Sequence, residues 1–126
     1  LQGGKVVFSY PEAWGPLAFT GLMPSKKLID ENPELIKKVV RAYENALQYI
    51  QNDFEGTLEI AKKQLPDLDE KVVRLALKRL IDSGCIPAHT TINKESWDKL
   101  LQTRIDVGDL KEMQKIQLYE NIPLEK

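Results

Sequence analysis

The chain has 126 residues, 42% of them hydrophobic and 29% charged, with 18 basic against 19 acidic side chains and a net charge of -1. That is the size of one domain, and the composition is that of an ordinary globular protein, which argues against disorder or a fibrous repeat. Mixed charge of both signs gives no electrostatic reason to expect nucleic acid or an anionic membrane as partner. One cysteine, Cys85, and one histidine, His89, exclude an internal disulfide and any thiol-based metal site built by this chain alone.

In chain order, Gly3-Gly4 reads as a turn, and Lys5 to Tyr10 as a strand rich in β-branched and aromatic residues, closed by Pro11. The run from Pro11 to Pro16 then reads as a loop. Leu17 to Met23 is nearly all apolar, as a strand buried on both faces would be, and ends at Pro24. Ser25 to Asp30 is a short helical turn. Asn32-Pro33-Glu34 then opens a long helix to Ile50: Pro33 suits the first helical position and Glu34 complements the positive end of the dipole. Its apolar residues, Leu35/Ile36, Val39/Val40, Tyr43, Ala46/Leu47 and Ile50, recur every three to four positions and predict one face that something must cover.

Gln51-Asn52-Asp53 breaks that pattern, and Phe54, Leu58, Ala61 and Leu65 restore helical spacing until Pro66. Asp69 can cap a further helix carrying Val72/Val73, Ala76/Leu77 and Leu80/Ile81, ended by Ser83-Gly84. After a connector from Cys85 to Thr91, Asn93 caps a helix with Trp97, Leu100/Leu101 and Ile105 inward, up to Gly108. Asp109 opens a last short helix to Ile116, and the tail from Leu118 to Leu124 is apolar enough to dock as an irregular segment. The fold class expected is an α/β fragment, mostly helical, with one or two short strands followed by about five helices. It forms a single partial domain, 1–24 holding strands and a crossing segment and 25–126 the helices. Two lone strands are marginal and expose ladder edges, so the sequence predicts a fragment or a homodimer formed by strand exchange. The start at Leu1, without methionine, likewise suggests a trimmed precursor or an excised segment.

The chemistry-bearing residues are few. His89 has no second ligand at metal spacing and reads as a loop residue; Cys85 reads as a small buried apolar side chain; no catalytic residue, metal site or cofactor is expected. Asp67, Asp69 and Glu70 suit a helix start, and Lys26-Lys27 and Lys37-Lys38 suit solvated faces. The stretch from Ser9 to Gly15 differs, because it packs a phenol, a carboxylate and an indole into a turn. Tyr10, Glu12 and Trp14 are therefore the candidate ligand-binding residues, the aromatics giving flat contact and Glu12 a charged acceptor. The competing reading is that Tyr10 and Trp14 only close the end of a core.

Several stretches together resemble the carboxy-terminal part of periplasmic solute-binding proteins of the nitrate, sulfonate, taurine and thiamine-precursor type, the NMT1-like family. They are Gly3-Gly4-Lys5-Val6-Val7, the apolar run to Met23, Ile29 to Glu34, Ala42, Ala46 to Ile50, Leu75 to Arg79, Trp97, Gly108-Asp109-Leu110 and Leu118 to Asn121. The resemblance spans nearly the whole chain and rests on order and spacing, with no single decisive motif. It implies part of a type II periplasmic-binding-protein fold, whose missing amino-terminal lobe holds most ligand contacts. It also implies a non-enzymatic solute-binding component of an ABC importer, working by hinge closure over a small organic or anionic solute. Its partners would be the solute and the ABC transporter permease, and its location periplasmic, or extracellular and membrane-anchored. The alternatives are a helical sensor or regulatory module, a strand-swapped interaction module, or a relative of a pyrimidine-precursor synthase.

Overall fold

A computed structural model describes residues 3–112 and residue 121. Six helices follow one another: α1 (Tyr10–Trp14), α2 (Lys26–Glu31), α3 (Pro33–Asn52), α4 (Phe54–Gln64), α5 (Glu70–Asp82) and α6 (Lys94–Asp106). The chain divides into two units, one formed by Leu1–Gly15 and Asn45–His89 and the other by Pro16–Glu44 and Thr90–Lys126.

Local signals set most helix ends. Ser25 accepts from the Leu28 amide at the start of α2, Asp53 from Gly56 at α4, Asp69 from Lys71 at α5 and Asn93 from Ser96 at α6. Each satisfies an amide that has no partner inside its helix. Gly84 and Gly108, with φ of 70° and 84°, stand just beyond α5 and α6 in the left-handed region that glycine enters without steric cost. Asn32 closes α2 through its own amide, bonded to the Leu28 carbonyl, while its carbonyl receives the Leu35 amide of α3 at 3.0 Å.

In the first unit, α4 packs on α5. Leu58, Val73 and Leu77 form the buried cluster, and Phe54, Ala61, Ile81 and Ile86 pack against it. Arg74 clamps the pair from outside: its guanidinium binds both Glu55 carboxylate oxygens, at 2.5 and 2.8 Å, and stands 5.7 Å from the centre of the Phe54 ring. This pair holds the Glu55 carboxyl below its usual range and the Arg74 guanidinium above its own, each chiefly through their mutual hydrogen bond. In the second unit Leu101 of α6 is the one buried hydrophobic residue among those described. There the Ala18 amide bonds to the Ser96 carbonyl at 3.0 Å, and the Asn121 side chain brackets Ile92 with two 2.9 Å hydrogen bonds.

The α/β expectation is corrected. No strand occurs among the described residues, and the sheet of a type II binding-protein fold is not present among them. Residues 5–9 and 16–24 have no regular secondary structure and no ladder partners among the described residues. Val7 is 94% exposed, Phe19 76% and Met23 93%, so two apolar runs adopt no regular structure where nothing among the described residues pairs them. The predicted loop after Tyr10 is also corrected: Tyr10–Trp14 is one helical turn and more, with Pro11 in its first turn, where no amide hydrogen is needed.

The predicted face of α3 forms but is only half covered. Ile36, Val40, Leu47 and Ile50 are partly buried, whereas Leu35 and Tyr43 remain exposed and no α3 residue is fully buried. The short helix expected at Asp109 does not begin there: Asp109 is linked to Arg104 by a 2.9 Å ion pair and residues 109–112 are non-helical. The remainder of that expectation, and the apolar tail except Asn121, lie outside the described residues.

Candidate functional site

Helix α1 carries all three candidate residues. Tyr10 and Trp14 are four positions apart and so share one side of the turn, while Glu12 projects from the other. The rings of Tyr10 and Trp14 meet edge to face, centroids 5.4 Å apart and planes at 80°. Phe8 extends the row, 5.0 Å from Tyr10 at 89°. The three rings remain open to solvent, Tyr10 at 60% and Trp14 at 46%. Edge-to-face contact fixes the rings relative to one another while leaving faces available for a flat or apolar ligand group.

Glu12 lies apart from that row. Its Oε1 is 4.0 Å from Arg79 Nη2, at the side of an open depression of about 470 Å³ lined also by Leu75, Lys78, Asp82 and Ser83. At this distance the pair is an ion contact without a hydrogen bond. Lys78 is bonded to Asp82 at 2.9 Å, one turn along α5. The structure thus brings Tyr10 and Trp14 together and directs Glu12 toward Arg79. Phe8 was readable from sequence, since alternate residues of an extended segment share a side. Arg79 was not, because it belongs to α5, far from Glu12 in sequence, and only the fold of this unit brings the two charges near each other.

The other chemistry-bearing residues are placed as follows. The Gln48 amide donates to the Ala88 carbonyl at 2.9 Å and lies 3.3 Å from His89 Nδ1, which ties the connector after α5 to α3. Glu44 accepts from the Thr90 amide and hydroxyl at 2.8 and 2.9 Å. Cys85 is exposed, 3.3 Å from the Ser83 hydroxyl. Its expected burial is corrected, because Gly84 turns the chain outward at the end of α5 and Ile86, not Cys85, packs on the core. No group of three potential metal ligands occurs among the described residues. A larger depression, about 580 Å³, is lined by Lys94, Glu95, Asp98, Lys99 and Gln102. All five belong to α6 alone, and four of them pair along it, Lys94 with Asp98 and Lys99 with Glu95 at 2.8 Å, while Gln102 donates to Asp106 at 2.8 Å, so it is a solvated helix face without facing walls. Lys26 and Lys27 pair likewise with Asp30 and Glu31. Among the described residues, no helix is long and apolar enough to cross a membrane.

The chain is 24% identical over 104 residues to a Bacillus subtilis (strain 168) protein named "Putative binding protein YtlA". The match takes in 82% of this chain and 31% of that protein. The chain therefore spans about a third of the length of the curated relative it matches, and the likeness reaches a binding protein without naming a solute. No protein-family profile matches the chain, and no solved structure does.

Proposed function

We propose that the chain is the carboxy-terminal part of a non-enzymatic solute-binding protein that serves an ABC importer outside the cytoplasmic membrane. The similarity to a named binding protein over most of the chain carries this reading, and the NMT1-like resemblance of the sequence narrows it to a small organic or anionic solute. Contacts made only in the closed form would shift a hinge equilibrium, and the permease would respond to the closed shape. In this reading Tyr10 and Trp14 offer ring faces to the solute, and Glu12, one side of a loose ion contact with Arg79, supplies a polar contact at the same short helix.

Tryptophan fluorescence of the full-length protein, titrated with nitrate, taurine and an alkanesulfonate, tests it. Saturable quenching by one of them is expected, with Trp14→Ala and Glu12→Ala each weakening that solute at least tenfold. Unchanged affinity in both variants contradicts the contact assignment, and no saturable response to any of the three contradicts the solute class. Genes for a permease and an ATPase beside this one support import; a neighbouring kinase or regulator contradicts it.

A further inference from the structure

Lys78 and Arg79 are the two cations on the depression beside Glu12, and they are held differently. Lys78 donates to Asp82 at 2.9 Å. The Arg79 guanidinium stands 4.0 Å from Glu12 Oε1, beyond hydrogen-bond reach, and both side chains are exposed. They open onto the same depression of about 470 Å³, where half-exposed Leu75 supplies apolar surface and Ser83 a hydroxyl. Two acids and two bases line it, so its charges balance. The two that are not hydrogen-bonded to each other, Glu12 and Arg79, stand side by side with opposite sign.

We infer that the solute of this site is a small zwitterion, with Arg79 taking its anionic group, Glu12 its ammonium, and Leu75 flanking the carbon chain between them. An ionised carboxylate only accepts hydrogen bonds, so Glu12 holds a solute only through a donor, and a bare anion on Arg79 meets the Glu12 charge as repulsion. A guanidinium presents a planar fork of donors that matches a carboxylate or sulfonate through two parallel bonds, and the 4.0 Å contact with Glu12 uses neither. A solute bearing both charges replaces that loose contact by two hydrogen-bonded ones and leaves no carboxylate facing an anion. Arg79 therefore fixes the anionic end, and Glu12 selects for the cationic one. This rests on the solute-binding reading above and narrows its small organic or anionic solute to one that carries both charges.

Calorimetric titration of the full-length protein with two matched pairs tests it: taurine against ethanesulfonate, and β-alanine against propionate, each pair differing by the ammonium alone. In at least one pair the zwitterion is expected to bind at least tenfold more tightly than the bare anion. Glu12→Gln should erase that preference, and Arg79→Gln should weaken the zwitterion at least tenfold, with Arg79→Lys recovering part of the loss. Both side chains are exposed, so the helical signal of these variants should match the parent. Equal affinity within both pairs, tighter binding of the bare anion, or a preference that survives Glu12→Gln overturns the zwitterion assignment and leaves the solute-binding reading standing. Affinity untouched in Arg79→Gln overturns the anionic contact. No saturable binding of any of the four overturns the solute-binding reading and the zwitterion assignment with it.

Discussion

The α4–α5 pair and the irregular segments 5–9 and 16–24 are built from similar apolar residues, yet only the first buries them. In α4–α5 the partner is the next helix along the chain, joined by the short turn around Pro66 to Leu68, so Leu58 meets Val73 and Leu77 at small loop-closure cost. In the irregular segments, Val7 and Met23 find no partner among the described residues. An amphipathic helix satisfies its own backbone and needs only one covered face, whereas an extended segment needs a ladder as well.

The comparison is broken most directly at the core. Leu58 is 3% exposed and Leu77 8%, so Leu58→Ala or Leu77→Ala should cost about 2–4 kcal/mol, read as a lower urea midpoint with unchanged slope. In the isolated chain Val7→Asp should stay within about 0.5 kcal/mol of the parent, and that contrast is the comparison expressed as a number. Next in size is the capping of α4. Asp53→Ala removes the acceptor of the Gly56 amide at 2.9 Å and should cost about 1 kcal/mol, with the loss of helical signal measured by circular dichroism.

A subtler effect sits at Gly56, where an added Cβ would lie 2.0 Å from the Tyr49 hydroxyl oxygen and 2.4 Å from Asp53 Oδ2. The hydrogen bond to Asp53, followed by desolvation, holds the Tyr49 phenol above its usual range. Its contribution to stability is therefore complete below the ordinary phenol pKa of 10.0 and is lost as pH rises through the raised value. Gly56→Ala should push the phenol away from Asp53, so that the late titration of Tyr49, followed by its absorbance, moves back down. The smallest effect belongs to Glu55, whose carboxyl Arg74 holds low. Its contribution is present above the usual carboxylate pKa and is lost as pH falls through the lowered one, so the acid limb of a pH–stability profile should flatten slightly in Glu55→Gln. Both groups are exposed, and solvent screens the effect.

What the sequence made legible follows the same division. Asp69, Asn93, Gly84 and Gly108 act within a few residues, and the ends of α5 and α6 stand where those residues predict; the break at Gln51-Asn52-Asp53 and the stop at Pro66 bracket α4, with Asp53 as a cap that the sequence reading left unassigned. The strands were misread because apolar, β-branched runs such as Lys5 to Tyr10 report a preference for a pleated, half-buried surface, and no such surface is present among the described residues. The α1 turn was missed for a related reason: Pro11 signals a helix start as well as a turn. At the candidate site, the i,i+4 spacing of Tyr10 and Trp14 was available to a reader who suspected a helix. The approach of Arg79 to Glu12 depends on packing between distant residues and left no local trace.

Residue-resolved hydrogen exchange on the 126-residue chain tests the central contrast most directly. Amides of α4 and α5, above all around Leu58, Val73 and Leu77, should be the most protected, while those of Val6 to Phe8 and Phe19 to Met23 exchange at the rate of an unstructured peptide. Protection of the two irregular segments equal to that of α4 and α5, in a chain that sediments as a monomer, would contradict the account.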